Sequence, residues 1–154
     1  NANRRQMGLS IIRRLIEVAA LLDIGAVLVI PGAVDNSLFG REPEVVRYDE
    51  AYKRAQLALR ELLPLAASAN TLLAIENVPN KFLLSPLEMA RFVDELGHPS
   101  LGVYLDVGNA MMIGYGVFQL SSHGCRPVRR LKPLSAPALR VRKPPAEPVP
   151  GVGN

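Results

Sequence analysis

Tryptophan is absent from this 154-residue chain, cysteine occurs once, at Cys125, and histidine only twice. A single thiol excludes an internal disulfide framework and a zinc cluster built on cysteines. Aromatic residues make up 5% of a chain that is 49% hydrophobic, so the core is expected to be aliphatic. No apolar run approaches the roughly 18 residues needed to cross a bilayer. The opening stretch, NANRRQMGLS, has basic residues but no apolar run ahead of the first helix, so no cleavable signal is expected. It does not begin on Met, and the start reads as cut or internal. These absences leave one ordinary domain with a real core, cytoplasmic by default.

The formal net charge is +4, which invites a nucleic-acid reading, but the charge is unevenly placed. Residues 1–115 carry 11 Lys and Arg against 13 Asp and Glu. Residues 116–154 carry 7 against Glu147 alone. The body is mildly acidic and the basicity belongs to the tail. That tail holds seven of the thirteen prolines and follows neither helical nor strand periodicity. It reads as disordered or loosely docked, because such a segment buries too little to offset its ordering entropy. It could touch nucleic acid nonspecifically, but it lacks the interleaved aromatics of a specific single-strand binder, so no specific nucleic-acid partner is expected.

The body alternates between two periods. RRLIEVAALLDIG sets Leu15, Ile16, Val18, Ala19 and Leu22 on one broad helical face, with Gly25 as the expected stop. AVLVIPG is a short apolar run, suited to a strand covered on both faces. Asp35 to Arg47 is polar and irregular. DEAYKRAQLALRELLPLAASAN is helical again, with Pro64 expected to kink or divide it. The strand TLLAIE follows, then the helix SPLEMARFVDELG, then the strand LGVYLD. That helix has a full start signal: Ser85 as N-cap, Pro86 first, Glu88 closing a capping box, and Gly97 beyond its end. Helix and buried strand in alternation predict an α/β fold with a parallel sheet.

Two of these strands end on a carboxylate followed at once by turn residues: Glu76 in LLAIENVPN and Asp106 in GVYLDVGNA, thirty positions apart. In parallel α/β sheets, ligands sit at the carboxyl ends of the strands. Either acid alone would usually be a surface or helix-capping group. At matching positions of successive units, they suit a divalent cation, since neighbouring carboxylates need a positive partner. A cation there would polarise a bound carbonyl or hydroxyl and leave one carboxylate free to move a proton. Asn77 and Asn109 are the candidate substrate contacts, whereas Asn80 is as readily turn chemistry. Lys81 could reach a phosphate but is more simply a solvated loop lysine. His98 lies at the foot of a strand, away from the acids, and is expected to be structural. His123 and Cys125 make a weak metal case without a third ligand.

At LLAIENVPNKFLLSPLEMARFVDELGHPSLGVYLDVGNAMMIGY, with LLDIGAVLVIPG upstream, the chain resembles the xylose isomerase-like TIM-barrel superfamily of sugar-phosphate isomerases and epimerases. The resemblance covers roughly residues 5–115. It implies parallel (β/α) units of a partial TIM barrel, 1–115, followed by the low-pattern tail, 116–154. It also implies one divalent metal ion, such as Mn or Mg, held by Glu76 and Asp106 and then by a His and a Glu on later strands. Glu76 would be both ligand and acid/base, one of two carboxylates moving a proton between adjacent carbons of a keto sugar. The substrate would be a small sugar or sugar phosphate.

The sequence departs from that pattern in ways that matter. A full barrel takes about 250 residues. Neither His123 nor Glu147, in PPAEPVP, follows a strand, so neither replaces the later ligands. The abrupt loss of pattern after Tyr115 suggests an out-of-frame tail. The reading is therefore a central fragment, catalytically inactive as this chain, whose exposed strand edges would favour an oligomer. One alternative is a non-catalytic α/β binding module with a basic tail. Another is a relative of the abasic-site endonucleases, which the resemblance disfavours because Ile30 and Asn109 stand where that branch has histidines.

Overall fold

A computed structural model describes residues 1–37 and 44–114. The inferred boundary at 115, the tail with His123, Cys125 and Glu147, and part of the irregular segment therefore lie outside the described residues. The order is α1 (Ala2–Leu21), β1 (Ala26–Val29), α2 (Tyr48–Ser68), β2 (Leu72–Glu76), α3 (Pro86–Leu96), β3 (Leu101–Tyr104) and α4 (Val107–Met112). The three strands form one parallel sheet in the order β1-β2-β3. Among the described residues the sheet is open, and its two outer strands have one unpaired edge each. No helix of the described residues is long and apolar enough to cross a membrane.

Side chains alternate across a strand, and this decides where the core lies. Val27 and Val29, Leu73 and Ile75, and Leu101 with Val103 point toward the helices and join one cluster with Ile16, Ala19, Ala55, Leu59, Leu62 and Met89. The other face carries Leu28, Leu72, Ala74, Glu76, Gly102 and Tyr104, and no helix of the described residues covers it. Leu28 is half exposed there, as expected of a parallel strand lacking its second layer.

The core is largely aliphatic, as expected, but it also holds a cluster of rings. Phe82 and Phe92 are the largest fully buried side chains, and with Tyr48 and Tyr52 they form an aromatic knot. Its tightest pair, Tyr52 and Phe92, meets edge to face with centroids 5.0 Å apart, the geometry favoured by ring quadrupoles. The Tyr52 hydroxyl donates to Glu95 at 2.8 Å. Burial, then this carboxylate, pushes the Tyr52 hydroxyl up to about 12. A low overall aromatic content thus says little about where the few aromatics gather.

Three local expectations also differ from what is found. Helix α1 ends at Leu21, and Asp23, at φ +54°, makes the left-handed exit in place of Gly25. On α1 only Ile16 and Ala19 are buried, while Leu15 and Leu22 are exposed, since α2 and β1 meet a narrower stripe than periodicity outlines. Pro64 sits inside α2 without dividing it. Pro64 and Arg60 both lie on the exposed side, so water can satisfy the Arg60 carbonyl that the proline cannot. The start of α3 is as expected: Glu88 N–H donates to Ser85 Oγ at 3.1 Å, Ser85 N–H donates to Glu88 Oε2 at 2.9 Å, and Gly97 turns out at φ +58°.

Candidate active site

The parallel register sets Glu76 opposite Tyr104 and Val29 opposite Ile75. Three chain segments therefore leave the sheet at one rim: Ile30-Pro31-Gly32, Glu76-Asn77 and Leu105-Asp106. Glu76 is half-buried, and its carboxylate takes no hydrogen bond or ion pair among the described residues. Asp106 is half-buried too, and it caps α4: the Asn109 N–H donates to its Oδ1 at 2.8 Å. This capping follows from chemistry that DVGN already displays, since Asp is among the best N-cap residues. Asp106 Oδ2 has no partner among the described residues.

The asparagines hold the rim together. Asn77, 1% exposed, donates through Nδ2 to the Asp106 carbonyl at 2.9 Å and accepts the Asp106 N–H on Oδ1 at 2.7 Å. Asn109 Nδ2 returns to the Asn77 carbonyl at 2.9 Å. Both amides expected to meet substrate are thus engaged in fixing Asp106 beside β2. Asn80 does the same on the other side. Its Nδ2 donates to the Gly32 carbonyl at 2.8 Å, its Oδ1 accepts from Phe82 N–H, and its carbonyl accepts from both Val34 and Asp35. The turn chemistry of Asn80 therefore ties the loop after β2 to the loop after β1. His98 Nδ1 accepts the Ser100 N–H at 3.1 Å, at the foot of β3.

Lys81 reaches Asp35 at 2.8 Å across the mouth of a small recess lined also by Ser37 and Pro79. The hydrogen bond from Lys81, with the Ser37 N–H, holds the Asp35 carboxyl well below the usual carboxylate range. A depressed folded-state value stabilises the fold above the unfolded value of about 3.9. That contribution is lost as pH falls toward the folded value. The expected result for Lys81→Met is a lower midpoint in urea at pH 6, with the gap to wild type closing progressively below about pH 4. A gap independent of pH would refute the pairing.

Two carboxylates at adjacent strand ends, each with a free oxygen, fit a hard divalent cation that takes oxygen ligands and keeps several waters. Among the described residues, no group of three or more His, Cys, Asp or Glu could hold a metal. The described donors are therefore an open pair and not a closed cage.

The profile of the family described as xylose isomerase-like TIM barrel matches residues 1–143. This chain belongs to that family. The matched span runs beyond the boundary expected at 115. The barrel fold of the family also accounts for the open sheet: the chain spans less than half the length of the solved structures it resembles. These include a 3-keto-D-glucoside 4-epimerase from E. coli, with TM-score 0.65, 18% identity, 78% of this chain and 47% of that one. A D-tagatose 3-epimerase-like protein gives TM-score 0.60, 26% identity, 74% and 42%. A D-psicose 3-epimerase, determined with D-fructose present, gives 0.61, 20%, 75% and 40%. No curated protein sequence matches the chain. Within the xylose isomerase-like family, then, the described residues of this chain contribute three consecutive strands and the rim above them.

Proposed function

We propose that these residues form part of the site of a divalent-cation-dependent sugar isomerase or epimerase. Glu76 is a metal ligand and the group that moves a proton, and Asp106 is the second ligand. The observation that supports this most directly is the shared rim: two half-buried carboxylates on adjacent strand ends, one held in place from three directions by Asn77 and Asn109. A divalent ion bound there would supply Lewis-acid polarisation of a sugar carbonyl or hydroxyl. The protein's own contribution is to keep Glu76 free of competing partners, so that its carboxylate can accept a proton from a carbon beside the carbonyl. Asn77 and Asn109 act by positioning Asp106. Inversion at one carbon takes a proton from one face and returns it on the other, which needs two groups. At this rim the described residues offer one uncommitted carboxylate, so they are expected not to epimerise a ketose by themselves.

Thermal unfolding with added Mn²⁺ tests the metal reading. Ligand at a hundred times its dissociation constant adds about 2.7 kcal/mol of stability, which for a domain of this size raises Tm by about 10 °C. The rise should vanish in Glu76→Gln and in Asp106→Asn. Asparagine is chosen at 106 because it still caps a helix, so a lost response reports lost charge and not a frayed α4. A wild-type Tm unmoved by Mn²⁺, or a rise that persists in both variants, would remove the metal from the proposal.

A further inference from the structure

The geometry points to Tyr104 as a substrate-contacting residue that stacks against a ketose bound over Glu76. The inference rests on the sugar-site reading above and goes beyond it by naming a binding residue on the neighbouring strand. Tyr104 is the register partner of Glu76, and strand alternation puts both side chains on the sheet face away from the helices. There Tyr104 is 55% exposed. One layer deeper on this face are Ala74 and Gly102, also register partners. A Cβ added at Gly102 would come within 3.1 Å of Leu72 Cδ2, so the Leu72 side chain leans across and closes the floor. The result is a shallow seat: aliphatic below, a carboxylate on one side and a phenol on the other.

That combination suits a ketose. Its carbon-bound hydrogens form an apolar face that a ring can cover, and its hydroxyls can bond to the phenol oxygen. The aromatic knot of Tyr48, Tyr52, Phe82 and Phe92 belongs to the helix side of the sheet and cannot substitute. The Tyr104 hydroxyl makes no hydrogen bond among the described residues, so it is available to a ligand seated over Glu76.

The test is D-fructose titrated in Mg²⁺ buffer and followed by saturation-transfer NMR with irradiation of the aromatic protons. Wild type should transfer saturation to the sugar. Tyr104→Leu should weaken apparent affinity about tenfold and reduce the transfer. Tyr104→Phe, which keeps the ring and loses the hydroxyl, should fall between them. Because the side chain is exposed, both variants should unfold at the wild-type temperature. Wild-type affinity in Tyr104→Leu would overturn this inference and leave the sugar site standing. No transfer to D-fructose in wild type would overturn the sugar site and this inference with it.

Discussion

Phe82→Ala is expected to destabilise the chain by about 3–5 kcal/mol, the usual cost of emptying a buried aromatic site. The value should fall near the top of that range, because Phe82 works in two directions. Inward, it packs on Tyr48, Tyr52 and Phe92, with centroids 5.5, 6.4 and 6.1 Å away. Toward the rim, its ring closes on Gly32, where an added Cβ would be 3.3 Å from Cε1. Removing the ring opens a cavity that backbone cannot easily fill, since the loop is already fixed by Asn80 and by the bridge between Val78 and Phe82. Urea unfolding followed by far-UV circular dichroism would measure the loss. Phe82→Leu should recover about half of it. A cost below about 1 kcal/mol for the alanine variant would show that the knot is not what holds this loop to the core.

Asn77→Ala is the second large effect, about 2–4 kcal/mol. Its amide is buried and makes both of its inter-strand bonds to the Asp106 backbone, so truncation leaves a donor and an acceptor without partners as well as losing two bonds. Its consequence for the site is separate and more telling. With the rim unpinned, Asp106 loses the position that sets it beside Glu76, so the Mn²⁺-dependent rise in Tm should shrink even at temperatures where the variant is folded. Asn77→Asp should behave worse than its size suggests, because a carboxylate oxygen would then face the Asp106 carbonyl. An Asn77→Ala variant with full stability and full Mn²⁺ response would contradict the role assigned here.

Much of this arrangement can be read from the residues themselves. The apolar runs at 26–29, 72–76 and 101–104 are too short and too rich in branched side chains for helices. The signals around α3, from Ser85 to Gly97, are met in full. The two strand-end acids are legible because parallel sheets bring strand ends to one rim. What is not legible is which neighbour each residue meets. Leu15 and Leu22 share a helical stripe with Ile16, yet only contact with α2 and β1 decides which of them is buried. Asp106 carries the signal of an N-cap and of a ligand at once, and the cap is visible only with α4 in place. Asn77 and Asn80 look like loop residues in ENVPN. Their burial depends on partners 29 and 48 positions away, at Asp106 and Gly32, which no local pattern encodes. The aromatic knot is hidden for the same reason: its four rings are scattered from 48 to 92.

One feature of the rim reaches further than its stability. A primary amide is chemically a peptide group, and Asn77 gives Asp106 the paired N–H and C=O that a backbone would. Its side chain thus acts as an extra rung of the ladder, branching from the main chain where β2 turns away. The placement of the Asp106 backbone against the end of β2 therefore depends on the length of one side chain. Asn77→Gln keeps the amide chemistry but lengthens the rung, and so offers a way to move one acid relative to the other without touching either.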